Sequence, residues 1–393
     1  MTLPAQLPPS ARLTPPDRLT RSAQAVTAAP TCLFAGGGTG GHLLPGIAVA
    51  RKLIARNSST RVLFVGSQRP LERQLVEAHH CSHQGLLLAG LPLLRRNPFR
   101  FGWTNWQACR TAAKLLDQER PQVVIGLGGL ASVPLVLAAA RRKIPIVLLE
   151  QNVIPGRATR WLSRLAQTVC TTFGETARLL PACAEVVQTG NPVREEIAAL
   201  AAARTVAPPG ISTLLILGGS QGAEGLNQGV LHLIRSNTEA FRGWQIVHQT
   251  GANQCQQVRE AYRSLQLDSV VEPFFHDLTP WYRQATAVIS RAGATTLAEL
   301  ACAGLPTVLV PYPHSADNHQ LRNAEVFAAA GGAVTVGQGG AADQTGRSLA
   351  EVLLPVLADE SRRAAMREGM WKLARPEARE RVIAEIDRLT GDS

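Results

Sequence analysis

The sequence predicts an α/β protein built from two doubly wound, parallel-sheet domains that face a cleft. Three observations predict it. The strand candidates are apolar throughout rather than alternating, as strands buried on both faces of a parallel sheet must be. A unit of strand, glycine-rich loop and helix occurs twice, with its loops at 36–42 and 218–222. The pattern pauses at Gly190-Asn191-Pro192 and then starts again, so the second half repeats the architecture of the first.

The first half offers TCLFAG, RVLFVG, QVVIGLGG, IPIVLLEQN, TVCTTF and EVVQTGNP as strands, with helices at 44–56, 104–119 and 131–142. The second offers STLLIL, WQIVHQTG, SVVEPF, AVIS, PTVLVPY and AVTV. Residues 203–210 read as a loop ahead of the second sheet. The last helix, 376–389, has few apolar positions and is expected to pack back across the hinge. The expected domains are 30–193 with 376–393, and 194–375. Residues 1–29, rich in Pro, Ala, Ser and Thr, read as a disordered extension without the apolar core of a secretory signal.

With 393 residues and 45% apolar composition, two buried cores can be built. The net charge is +11, and it is uneven: residues 30–193 carry 19 basic and 7 acidic groups, residues 194–374 carry 14 and 16. The first half therefore points to an anionic partner, nucleic acid or a membrane surface. Seven cysteines without a CxxC pair argue for reduced thiols in a cytoplasmic protein and against zinc. No apolar run reaches the roughly 18 residues of a membrane span.

The first loop, GGGTGGH at 36–42, places five glycines within six residues between a strand and a helix. A tight turn needs one or two, so the excess favours close approach of a ligand to backbone N–H groups. The second, GGSQG at 218–222, offers N–H groups, a hydroxyl and a helix start to a diphosphate. Neither loop has the Gly-Lys-Ser/Thr of a P-loop. Neither half has an acid at the end of its second strand, where Ser67-Gln68-Arg69 and HQTG stand instead, so a nicotinamide dinucleotide is disfavoured.

A third strand–turn–helix motif is SRAGATTLAE at 290–299. Glu299 lies one turn into the helix, where a carboxylate can accept from a ribose diol. Thr295 or Thr296 with Glu299 also fits a capping box. A fourth, PYPHSADNHQLRNA at 311–324, is either a sugar-recognising loop or a solvated one.

These motifs together with GLGG, LEQN and GNPVR occur in the order and spacing of the MurG family, which the chain resembles from about Cys32 to the last helix. The resemblance implies the GT-B fold, two Rossmann-like parallel-sheet domains facing a cleft. It implies an inverting glycosyltransferase that moves N-acetylglucosamine from UDP-N-acetylglucosamine to an undecaprenyl-pyrophosphoryl-muramyl-peptide, with no metal and no cofactor. That agrees with the absence of an Asp-x-Asp pair. It sets Thr39, Gly40 and Gly41 near the donor sugar and diphosphate, and Asn152 along the cleft. Arg194 and Ser220 contact the donor's phosphates or nucleotide, and Phe275 stands at the uracil. Ala294, Thr295, Thr296, Leu297, Ala298 and Glu299 bind diphosphate and ribose, with Glu299 on the ribose hydroxyls. Gln320, beside His319, holds the sugar hydroxyls. The family often has Tyr where Leu130 stands, so a contact through that hydroxyl is missing here, and Ser132 can serve instead.

An inverting displacement needs a base for the acceptor hydroxyl. His42, at the end of the first loop, is the candidate, with packing against the loop as its other reading. The segment 91–106 mixes Arg95, Arg96 and Arg100 with Phe99, Phe101, Trp103 and Trp106, which is the chemistry of an anionic membrane surface. Peripheral docking on the cytoplasmic face of the inner membrane is therefore expected, and no nucleic-acid partner. The alternatives are another lipid-directed glycosyltransferase or a UDP-sugar 2-epimerase.

Overall fold

The computed structural model describes residues 30–38, 40–181, 185–204, 210–219 and 222–391. The expectations for residues 1–29 and for Thr39 and Ser220 lie outside the described residues.

Two parallel sheets form. The first contains β1 (Thr31–Gly36), β2 (Arg61–Ser67), β3 (Ser82–Leu86), β4 (Val123–Gly128), β5 (Ile146–Glu150), β6 (Thr168–Thr171) and β7 (Glu185–Gln188), in the order β3-β2-β1-β4-β5-β6-β7. The second contains β8 (Ser212–Leu217), β9 (Trp244–Gln249), β10 (Ser269–Glu272), β11 (Ala285–Ser290), β12 (Thr307–Leu309) and β13 (Ala333–Thr335), in the order β10-β9-β8-β11-β12-β13. β1, β4 and β5 are buried along their whole length, which their continuous apolar runs require. β3 was not among the expected strands: its SHQGL is polar and alternates in exposure, as an edge strand can. Each sheet reverses its building direction beside its first strand, between β1 and β4 and between β8 and β11. A ligand crevice opens at such switch points, and both glycine loops begin there.

The helix Gly40–Arg56 starts four residues before the expected 44. Pro45 lies inside it and has no N–H for the carbonyl of Gly41, four residues back. That carbonyl accepts instead from Thr295 Oγ1 at 2.8 Å, a group from the other half of the chain. The helix Pro98–Glu119 likewise starts before the expected 104, because Pro98 suits a first turn and Asn97 Oδ1 caps it, accepting from Arg100 N–H at 2.9 Å.

The last helix, Ala378–Thr390, buries Val382, Ile383 and Ile386 in one cluster with Phe34 and Ile125 of the first sheet and Ile47 of the helix Gly40–Arg56. Three such side chains contribute roughly 5–9 kcal/mol of gross transfer free energy, before the cost of ordering the helix. The chain thus crosses from the first sheet to the second and returns.

Candidate active site

The first loop is held from beneath by Glu72, a residue that the motifs did not single out. Its carboxylate is 2% exposed. It accepts from Gly38 N–H at 2.7 Å, from Ser67 N–H at 2.8 Å and from the Ser67 hydroxyl at 2.6 Å. Gly37 lies so close to that carboxylate that a β-carbon there has no room. Sequence reasoning looked for an acid at Ser67–Arg69 and found none. The acid comes from the following helix, Pro70–Glu77, and it grips the loop rather than facing a nucleotide.

His42 follows, in the first turn of the Gly40–Arg56 helix and beside Gly128. Its Nδ1 is buried without a hydrogen-bond partner. Burial holds the imidazole below its ordinary range; Glu150 raises it and His319, from the other half, lowers it further. The ring is therefore neutral near pH 7, with a lone pair available to a proton.

Glu150, at the end of β5, accepts from Asn152 N–H and Gly156 N–H, each at 3.0 Å, and shapes the turn between them. Asn152 Oδ1 accepts from Asn323 Nδ2 at 3.0 Å, and Val153 N–H donates to Asn323 Oδ1, also at 3.0 Å. Asn323 is fully buried and joins the halves across 171 positions of sequence. Gln320, one turn earlier on the helix His319–Ala329, accepts through Oε1 from Tyr312 N–H at 2.9 Å and Ala292 N–H at 3.3 Å. Among the described residues its amide hydrogens meet no acceptor. His319 Nδ1 donates to the carbonyl of Ala316 at 2.8 Å, which leaves Nε2 as an acceptor.

The helix Ala294–Ala303 begins at Gly293 with no side-chain cap, so the capping-box reading of Thr295, Thr296 and Glu299 is not realised. Thr295 reaches Gly41 instead. Leu297 is buried in the core, and Ala294 and Ala298 offer only backbone and a methyl group. Glu299 is buried and accepts from the Tyr282 hydroxyl at 2.9 Å, with Arg194 Nη2 at 3.8 Å and Asp277 on the far side of that guanidinium at 3.5 Å. Burial raises the Glu299 carboxyl above its ordinary range, against the pull of Arg194 and of Tyr282. Phe275 N–H is taken by Gln249 Oε1 at 3.1 Å. Among the described residues no cluster of three His, Cys, Asp or Glu is gathered as a metal would need.

The helix after the second glycine loop, Glu224–Ser236, is anchored by a buried relay. Asn227 Nδ2 donates to the Thr250 carbonyl and to Gln254 Oε1, so its Oδ1 must accept from His248 Nε2–H at 3.1 Å. His248 Nδ1 then accepts from the Tyr262 hydroxyl at 2.8 Å. Burial pushes His248 down to about 3, so the ring stays neutral and the direction of every bond is fixed.

The geometry therefore brings together the starts of two helices, one from each sheet, with His42, Asn152 and Gln320 around them. Comparison with known proteins gives the family. The glycosyltransferase family 28 N-terminal domain matches residues 32–171, and the family's C-terminal domain matches residues 213–382. A relative from Desulfotalea psychrophila, a UDP-N-acetylglucosamine--N-acetylmuramyl-(pentapeptide) pyrophosphoryl-undecaprenol N-acetylglucosamine transferase, is 38% identical over 361 residues, or 91% of this chain and 96% of its own. The chain belongs to the MurG family of glycosyltransferases. A relative of the same name from Anaeromyxobacter sp. is 37% identical over 364 residues, covering 91% of this chain and 93% of its own. The crystal structure of Acinetobacter baumannii MurG superposes with a TM-score of 0.71 at 27% identity, over 91% of this chain and 99% of that one. The two parallel-sheet domains are the GT-B fold. A UDP-GlcNAc 2-epimerase from Neisseria meningitidis has a TM-score of 0.64 over 91% of this chain and 100% of its own, but at 14% identity it shares the fold alone.

Proposed function

We propose that this MurG-family chain moves N-acetylglucosamine from UDP-N-acetylglucosamine to a lipid-linked N-acetylmuramyl-pentapeptide, with inversion at the anomeric carbon. The observation that carries the residue roles is the junction of Gly41 with Thr295, which sets two helix starts against one cleft. His42 takes the proton of the acceptor hydroxyl as that oxygen bonds to the anomeric carbon. The bond to UDP breaks on the opposite side, and the leaving diphosphate is received by helix-start N–H groups and Arg194. Glu299 turns to the ribose diol when Arg194 engages phosphate, and the free amide hydrogens of Gln320 meet the sugar. Gly40 and Gly41 lie by the donor sugar and diphosphate, and Asn152 lines the cleft. Residues 30–193 with the last helix hold the acceptor, and residues 194–375 hold the donor.

The deciding experiment is transfer of radiolabelled sugar from UDP-N-acetylglucosamine to the lipid-linked acceptor. A labelled lipid product is expected, with no reaction when the acceptor is omitted. Conversion of the sugar nucleotide by enzyme alone would return the epimerase reading.

Membrane docking is part of the same proposal. Phe99, Trp103 and Trp106 are exposed on the helix Pro98–Glu119 at a spacing that sets them on one face, and Arg110 lies 4.9 Å over the Trp106 ring. Leu94, Arg95, Arg96 and Arg100 are exposed beside them. Among the described residues no helix is long and apolar enough to cross a membrane. At about 1 kcal/mol per basic group near an anionic surface, neutralising Arg95, Arg96 and Arg100 together is expected to weaken co-sedimentation with anionic vesicles about 100-fold. Unchanged binding would remove this face from the proposal.

A further inference from the structure

A cavity of about 340 Å³ opens at the edge of the first sheet, and nothing assigned above uses it. Its walls are Gln68 and Arg69 from the turn after β2, Arg73 and Gln74 from the helix Pro70–Glu77, and His83 from β3. The chemistry is that of an anion site with directional donors: two guanidinium groups and two amides. Among the described residues Arg69 has no carboxylate within ion-pair distance, and Arg73 has only Glu77 at 3.8 Å, an exposed pair of little strength. Both ring nitrogens of His83 are closed off without a hydrogen-bond partner, and burial holds the ring below its ordinary range and so neutral.

We infer that this pocket receives the C-terminal carboxylate end of the acceptor's peptide, with Arg69 and Arg73 paired to it. The inference rests on the acceptor reading above. A peptide joined to the muramyl unit through its amino end presents a carboxylate at its free end. Five extended residues reach about 17 Å. The pocket lies within that reach, because one short helix serves both places. Glu72 projects inward from it to hold Gly38, four positions before His42, while Arg73 stands on the adjoining face and Arg69 just precedes the first turn. A helix with its side chains is only about 10 Å across. The pocket also lies in the half with the basic excess, away from the donor loop at 218–222.

The test uses the full-length enzyme with Arg69→Gln and Arg73→Gln combined, both at exposed positions. KM is measured for the pentapeptide-bearing lipid acceptor, for the same lipid acceptor without its peptide, and for UDP-N-acetylglucosamine. The expected result is a KM about tenfold higher for the pentapeptide acceptor alone, with kcat and the other two KM values unchanged. An equal rise for both acceptors would mean that the arginines read the lipid diphosphate and would overturn the inference, as would no rise for either. Should the wild-type chain transfer no sugar, the functional reading fails and calorimetry with soluble N-acetylmuramyl-pentapeptide decides this one separately. Binding lost in the double variant supports the pocket; binding equal in both proteins, or absent from the wild type, overturns it.

Discussion

Replacing His42 by alanine is expected to lower kcat by about 10²–10⁴, the usual contribution of a positioned general base, while the KM for UDP-N-acetylglucosamine stays near its original value. The geometry that supports this is specific. The ring stands at the end of the first glycine loop, beside Gly128, and feels the charge of Glu150 from one half and of His319 from the other. A base must be neutral to act. Burial, the largest influence, lowers the His42 pKa below 6.5, so the neutral form persists at pH 7 and below it. Activity should therefore be flat through neutrality, and the acid limb of kcat/KM should fall below pH 6.5. That limb should vanish in the alanine variant, whose residual rate comes from positioning and leaving-group stabilisation alone. Near-normal turnover in His42→Ala would give the base to another group and leave His42 as a packing residue.

Glu72→Ala is expected to cost about 3–5 kcal/mol of stability and to reduce turnover as well. The substitution strands two half-buried backbone donors, Gly38 N–H and Ser67 N–H, each worth about 1–3 kcal/mol when left unpaired, and frees the Ser67 hydroxyl. It also opens space beside Gly37 in the loop that must hold His42 in register. Glu72→Gln keeps the volume but turns one acceptor oxygen into a donor that opposes an N–H, so it should retain part of the loss. Denaturant unfolding checks the stability, and steady-state kinetics checks the loop: kcat should fall in both variants while the donor KM holds. If Glu72→Ala unfolds at the same denaturant concentration as the parent, the carboxylate is not what holds the loop.

The architecture was legible in the sequence because strands such as β1 and β4 must be apolar on both faces, and because the loops that follow β1 and β8 are glycine-dense for a steric reason. β3 escaped notice because an edge strand needs neither property. The candidate site was legible where chemistry sits next to a signature, as His42 sits next to GGGTGGH. It was illegible where the bond is long-range. Glu72 grips Gly38 across 34 positions, and Asn323 meets Asn152 across 171; each reads locally as one more polar residue on a helix. Glu299 lies one turn into its helix, as expected, but its two partners, Tyr282 and Arg194, lie in elements that local patterning does not link to it.

The return of the last helix to the first sheet gives the molecule a fulcrum. The outgoing strand of chain passes through Gly190 and the returning one through Arg375 and Ala378, and these touch: a β-carbon on Gly190 would overlap the Arg375 side chain. Gly190 also holds a φ of +86°, where other residues are strained. Arg379, buried nearby, pairs with Glu195 at 3.4 Å and clamps the crossing. Two crossings of the chain that meet at one point resist sliding of one sheet domain past the other there. The halves meet a second time at the mouth of the cleft, where Gly41 meets Thr295 and Asn152 meets Asn323.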